Sequence, residues 1–423
     1  MALAALKINI PIIFCLLLLF ITIFIFNPPS SGDNDIWWHL KYGEHFVQNW
    51  TWYIDHSAFS WTPSSPDWKY VTWIGSSLLY LVYESGDFIG LFLLHSLLLV
   101  LTLGLYLFYI SLVKKRFDIP DIFCMLLVAL SSNSNRIKPD SFTTLFFAMA
   151  VFIYFYSKTT SKSIFLLNVP LFLIWVNTHG GFVFGLFFIS LALIMELLNF
   201  YFIKSAPLSR NLIRDFALGV FLSYAVLIIN PYGPQYIISL AKDLFFSDYM
   251  EQSKNLLAYA SIWKQLWPTS NLIGFTIEGW QLIVAMVIFM LACAYVYSKI
   301  KSIDPAVVTT NIAFFFAAMV TGRLAKFFPI LWLFSIAFLI RPFEMNFPRR
   351  KLAAISFFLI ILFTLAQIKN VLTINNHNSW FDRSSTNALI PAKEANFIKS
   401  HNLPGPIFND YLTGGYMIWS MYP

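Results

Sequence analysis

Two aspartates flank one asparagine at Asp33-Asn34-Asp35, in the most polar stretch of an otherwise greasy chain. Between Gly32 and Ser60 that stretch holds three Asp, three His and several Trp. Carboxylates at this spacing can share a divalent cation, which would make Asp33 and Asp35 metal ligands. Without a metal, one can act as general base while the other orients it. The same residues also suit a helix cap ahead of Ile36-Trp37-Trp38-His39-Leu40. His39 follows Asp35 by one helical turn, so the two share a face if the segment is helical. It is then a substrate contact or a satisfied hydrogen-bonding group. Asp55 joins the candidate substrate contacts from the end of the same stretch. The adjacent letters Asp55-His56-Ser57 do not make a triad, which is a spatial arrangement.

Basic residues supply the second half of the chemistry. Arg136 and Lys138 precede Asp140 in one polar connection, and Arg323 and Lys326 lie in another, Thr321-Gly322-Arg323-Leu324-Ala325-Lys326. Ionisable groups at membrane depth are costly and mark a pathway or an anion site, and Arg or Lys can hold a phosphate. The alternative for each is a snorkelling headgroup contact or a pair with Asp140. Four such groups around an acidic loop suit a phosphate-bearing lipid substrate. His179, in Asn177-Thr178-His179-Gly180-Gly181, either faces the same cavity or bonds a carbonyl.

These groups need a frame, and composition says what kind. Of 423 residues, 58% are hydrophobic and 12% charged, with mean hydropathy +0.68. Soluble domains carry about a quarter charged residues, so the chain reads as an all-α polytopic membrane protein. The net charge of +7 belongs to short loops between apolar runs, which leaves no case for nucleic acid as a partner. Cys15, Cys124 and Cys293 all fall inside apolar runs with no disulfide or metal spacing. Candidate spans cover 8–26, 88–112, 121–133, 141–157, 164–177, 182–203, 215–230, 280–298, 305–321, 327–341 and 352–368. The first is an uncleaved span, since it lacks a small-residue cleavage site.

Val71 to Glu84 is apolar but too short to span, and reads as an interfacial or re-entrant helix. With that choice, Lys114-Lys115-Arg116, Lys158, Lys162, Lys204, Arg210, Arg214, Lys299, Lys301 and Arg349-Arg350-Lys351 all fall on the Lys7 side, which the positive-inside rule makes cytoplasmic. The expectation is therefore about eleven spans, N-terminus inside, with 27–87 as an outer catalytic loop carrying interfacial helices. Glu196 falls inside a span and is expected to pair within the bundle. Residues 1–369 form the transmembrane domain. The tail, 370–423, reads as an incomplete extracytoplasmic segment: an amphipathic helix near Ala392–Lys399, a turn at Pro404-Gly405-Pro406, and a strand opening at Ile407-Phe408-Asn409, as in the start of a small α/β unit.

The layout resembles the GT-C superfamily of membrane glycosyltransferases. It is most similar to an uncharacterised bacterial branch through Asp33-Asn34-Asp35-Ile36-Trp37-Trp38-His39-Leu40, Asp55-His56-Ser57-Ala58-Phe59-Ser60, Asn177-Thr178-His179-Gly180-Gly181 and Asn409-Asp410-Tyr411-Leu412-Thr413-Gly414-Gly415-Tyr416. The resemblance implies transfer of a sugar from a polyprenyl-phosphate or -diphosphate donor to a glycan, lipid or protein acceptor, at the outer face of the bacterial inner membrane. It places a first-loop acid, Asp33 or Asp35, as base or acceptor-positioning group. A divalent cation such as Mg or Mn is optional, since the basic groups can neutralise a leaving phosphate. It also implies two interfacial helices after that acid, matching Asp35–Asn49 and Val71–Glu84. The rival reading is a transporter or flippase that moves a lipid-linked anionic glycan without chemistry. Transporters often show inverted halves, and no such symmetry is visible here. A membrane scaffold without chemistry would leave Arg323 unexplained.

Overall fold

The computed structural model describes residues 35–54, 69–113, 137–205, 207–245, 279–320, 324–343 and 390–422, together with Phe59, Asp121, Met125, Ala354, Phe358 and Ile361. The described elements are helices: α1 (Asp35–Gln48), α2 (Trp73–Val113), α3 (Asp140–Thr160), α4 (Asn168–Val176), α5 (Phe182–Leu198), α6 (Arg210–Ala225), α7 (Pro234–Phe245), α8 (Gly279–Ile300), α9 (Pro305–Val320), α10 (Phe327–Ile340), α11 (Ala392–Ser400) and α12 (Tyr411–Met421). No strand occurs among the described residues. The tail there consists of α11 and α12, and the strand expected at Ile407-Phe408-Asn409 is not formed.

Five of these helices are long and apolar enough to cross a membrane: Trp73–Val113, Asp140–Thr160, Phe182–Ile203, Arg210–Ile228 and Leu282–Ile300. Phe165–Val176, Pro305–Met319 and Phe327–Ile340 are shorter apolar helices. The expected spans 8–26, 121–133 and 352–368 lie almost wholly outside the described residues. Cys293 is buried on α8, while Cys15 and Cys124 also lie outside the description.

The expected interfacial helix and the span after it are two helices that meet within α2 at Asp87, which takes non-helical angles of φ 51° and ψ −150°. No proline or long polar linker separates the two parts, so helix pairing resumes directly after the bend.

α3 is the central post. Phe147, Val151 and Phe155 repeat every four residues along it and are fully buried, as a helix packed on several sides requires. The aromatic rings of Phe314, Phe327 and Phe188 close around Phe147 from α9, α10 and α5. Two polar ties lock the neighbouring helices: Asn311 Nδ2 donates to Ser335 Oγ at 2.7 Å, and Trp332 Nε1 donates to the Ala285 carbonyl at 2.9 Å.

α1 lies across the first part of α2. Ile36, Trp37 and Leu40 form its buried face, and Gly43 permits the close crossing, because a Cβ there would sit 2.2 Å from the Ser76 carbonyl oxygen. The tail rests on the same helix: Tyr416 meets Trp37 edge-on at 4.9 Å, and Lys41 Nζ donates to the Tyr422 carbonyl at 3.3 Å.

At one end of the bundle, Lys158, Glu196 and Asp304 are buried together, with side chains 4%, 0% and 7% exposed. Lys158 Nζ pairs with Glu196 Oε1 and reaches Asp304 Oδ2 at 2.6 Å, while Tyr154 OH donates to Glu196 Oε1 at 2.6 Å. Glu196 thus pairs inside the bundle as expected. Lys158 corrects the sequence reading: it is an interior partner on the last turn of α3, not a loop charge. Asp304 Oδ1 also accepts the backbone N–H groups of Ala306 and Val307. It therefore caps α9 ahead of Pro305, where a missing N–H costs nothing.

Candidate functional site

Asp140 opens α3 and Lys158 stands near its far end, so the polar groups near Asp140 lie about 27 Å from the buried cluster at 1.5 Å rise per residue. Asp140 sits in the first helical turn, where a negative side chain complements the helix dipole. Its Oδ1 accepts from Lys326 Nζ at 2.5 Å, and His179 Nδ1 stands 3.6 Å from the same oxygen. Lys326 reaches this point because it is the residue just before α10, and His179 because it lies in the turn between α4 and α5.

Lys138, two residues before Asp140, turns to α1 and donates to Asp35 Oδ2 at 3.3 Å. Trp38 Nε1 donates to Asp35 Oδ1 at 3.2 Å. Two carboxylates and two amines from α1, the α3 entry and the α10 entry thus alternate along one end of the bundle, with His179 beside them. The side chains of Asp35, Asp140, Lys138 and Lys326 are 40%, 26%, 23% and 14% exposed, which leaves them accessible to a substrate.

The turn that carries His179 is built by its neighbours. Asn177 Nδ2 donates to the carbonyls of Leu173 and Ile229, its Oδ1 accepts from Trp73 Nε1 at 2.9 Å, and its own carbonyl accepts from Ile74 N–H. One side chain thereby ties the start of α2, the end of α4 and the segment after α6. Sequence reading treated Asn177 only as part of a loop.

His39 is placed differently from the exposed groups. It is 7% exposed on the inner face of α1, stacked on Trp38 at 4.0 Å, and its Nδ1 bonds Tyr70 OH at 2.8 Å. Tyr70 OH also meets Ser76 Oγ at 2.5 Å. This network pins α1 to α2 behind the exposed carboxylates. Burial first, then His179 and Lys138 nearby, hold the His39 imidazole well below its usual value of 6.5.

A pH prediction follows from that imidazole. The folded state keeps His39 neutral, whereas the unfolded chain takes up a proton once pH falls below about 6.5. Stability supplied by His39 is therefore present at neutral pH and is lost on acidification through that value toward the lower folded pKa. Thermal unfolding in detergent should shift down between neutral and mildly acid buffer, and His39→Gln should flatten that part of the shift. An equal acid shift in His39→Gln would contradict the assignment.

No protein-family model matches the chain, and neither does any curated protein. Function therefore rests on the arrangement itself. The sequence-selected Asp35, Lys138, His179 and Lys326 come together, whereas Asp33, Asp55, Arg136 and Arg323 lie outside the described residues. The missed residue is Asp140. The sequence offers it only as an alternative partner for the four basic residues, and the structure pairs it with Lys326, 186 residues away. Its one visible signal was an acid at the start of a span, at the same end as two lone basic residues.

A divalent cation at Asp35 fits this arrangement poorly. An ammonium group already approaches Oδ2, and an indole N–H approaches Oδ1. Among the described residues no three His, Cys, Asp or Glu side chains gather in the manner of a metal site. The arrangement offers instead a carboxylate held in place on α1, and amines beside it that can receive negative charge.

Proposed function

We propose that this chain is a membrane glycosyltransferase of the GT-C kind, with about eleven spans, that moves a sugar from a polyprenyl-phosphate or -diphosphate donor to an acceptor on the extracytoplasmic side of a bacterial inner membrane. The observation that carries the reading is the alternation of Asp35, Lys138, Asp140 and Lys326 at the α1 end of apolar helices. A lipid phosphate approaching from the bilayer surface meets amines there, and an acceptor hydroxyl meets an accessible carboxylate.

In this reading Asp35, or Asp33 beside it, accepts the proton of the acceptor hydroxyl. The new bond forms between that oxygen and the anomeric carbon. The bond from the anomeric carbon to the phosphate oxygen breaks, and its electron pair leaves on the lipid phosphate. Lys326, with Lys138, Arg136 and Arg323, stabilises that developing charge. Asp140 holds the Lys326 amine in position and does not touch the reacting atoms. Both oxygens of Asp35 already have partners, so no step is routed through a metal.

The test uses vesicles loaded with radiolabelled polyprenyl-phosphate sugars and the purified protein. Label passing from lipid to a water-soluble or lipid acceptor supports transfer. Label crossing the bilayer while still on its lipid, without release, supports the transporter instead and ends this proposal.

A further inference from the structure

A tyrosine hydroxyl that faces the turn 177–181 is left unused by the fold. Tyr236 lies in the first turn of α7, and the segment ahead of it is tightly built. Asn230 Nδ2 donates to the carbonyls of Leu227 and Gly233, and its Oδ1 accepts the Tyr232 N–H. Gly233 takes φ 57°, in the left-handed region that favours glycine. Pro234 then opens the helix, where a missing N–H costs nothing. Tyr236 is thereby carried on a fixed backbone, its ring partly buried against the core and facing Phe182 at 6.3 Å.

Buried tyrosines elsewhere in the chain have hydroxyl partners, as the cost of a dry phenol requires. Tyr70 meets Ser76, Tyr109 meets Thr159, and Tyr154 donates to Glu196. The Tyr236 hydroxyl makes no hydrogen bond among the described residues. Burial alone raises its pKa, with no charge or hydrogen bond contributing, so the phenol keeps its proton at neutral pH. What it faces is Gly180. Among the described residues, a Cβ on Gly180 would meet one atom within 4 Å, the Tyr236 hydroxyl oxygen at 3.7 Å. Gly180 has no positive φ either, so neither backbone conformation nor packing requires glycine there. At Gly181, by contrast, a Cβ would stand 2.6 Å from Thr143 Cγ2. The missing side chain at Gly180 thus leaves a notch in front of the hydroxyl. Gly180 directly follows His179, which stands 3.6 Å from the Asp140 oxygen that holds Lys326.

We propose that Tyr236 and the notch at Gly180 receive the sugar of the lipid-linked donor, with the phenol bonded to a sugar hydroxyl. The inference rests on the proposed function and adds a neutral contact to a charged site. Lys326 suits the lipid phosphate, and the sugar attached to that phosphate is the group that would reach the adjacent notch. A phenol both donates and accepts, as a sugar hydroxyl does, and it brings no charge that would compete for the phosphate.

The test uses full-length protein in nanodiscs carrying 3-fluorotyrosine, with the Tyr236 19F resonance assigned by its loss in Tyr236→Phe. The probes are undecaprenyl phosphate and a panel of undecaprenyl-phosphate hexoses. The resonance should move with a sugar-bearing lipid and stay in place with the sugar-free lipid. An equal response to the sugar-free lipid, or none to any hexose lipid, overturns the assignment. Stability and kinetics give a second readout. Tyr236→Phe should leave the unfolding temperature equal or higher, because no hydrogen bond within the chain is lost. It should raise KM for the donor roughly three- to tenfold, as loss of one neutral hydrogen bond does. Gly180→Leu, which fills the notch, should raise that KM further. A lower unfolding temperature in Tyr236→Phe, or an unchanged KM in both variants, would contradict the contact. If wild-type protein transfers no sugar yet the resonance answers to a hexose lipid, the proposed function falls and the contact stands. Transfer with unchanged kinetics in both variants ends the contact alone.

Discussion

Replacing Lys158 with Met should lower stability by about 3–5 kcal/mol, the cost of leaving buried carboxylates without their partner. The amine is 4% exposed and serves Glu196 and Asp304 at once. Methionine has similar length and no charge, so packing volume is nearly conserved and the loss reports on electrostatics. Glu196 would then face a buried environment with only the Tyr154 hydroxyl on Oε1, while Asp304 would keep the two N–H groups of α9. The double variant Lys158→Met/Glu196→Leu should therefore recover part of the loss, because an ion pair replaced by apolar groups can be nearly neutral. Thermal or denaturant unfolding in detergent measures both. A shift below about 1 kcal/mol for Lys158→Met, in the range of exposed pairs, would show that the cluster is not the buried brace described here.

The second large effect is on activity. Asp35→Asn should lower the transfer rate by about 10²–10⁴-fold, the usual contribution of a positioned general base. It should leave unfolding almost unchanged. The Asp35 side chain is 40% exposed, and exposed ion pairs such as that with Lys138 contribute about 0–1 kcal/mol. Lys326→Met should act on the other side of the reaction and lower the rate by roughly 10²–10³-fold, as removal of a preorganised charge-stabilising group does. It should also disturb Asp140, whose Oδ1 it occupies at 2.5 Å. The two variants differ in what they spare. With Asp35→Asn, donor binding should persist. With Lys326→Met, donor binding should weaken as well. Variants that lose stability and activity in parallel would point to a structural role for both residues.

The polar ends of the molecule show what a sequence can carry. Long apolar runs make α3, α5 and α8 legible, because a helix that crosses hydrocarbon needs about 20 predominantly apolar residues. Val71–Glu84 is legible as a short helix separate from the span that starts at residue 88, and Asp87 is where the two helices meet. The bend at Asp87 depends on local backbone angles that residue types do not dictate. Lys158 was misread because its charge matched the loop rule, while its partners lie 38 and 146 residues further on. Asp140 is visible in the sequence only as an alternative partner for four basic residues, Lys326 among them. Its role is set by Lys326 and His179, which meet it only after α4, α5 and α10 have packed. Asp35, Lys138, His179 and Lys326 were found individually because charged or hydrogen-bonding groups next to spans are conspicuous. What their pairing would be was not written in any local pattern.

The most direct measurement is of sugar release from a radiolabelled polyprenyl-phosphate donor by wild-type protein in nanodiscs, beside Asp35→Asn with a matched unfolding temperature. Label should leave the lipid with wild-type protein and stay on it, wholly or nearly so, with Asp35→Asn, while both proteins bind the donor. Equal release by the two proteins, with Asp33→Asn also fully active, would contradict this expectation.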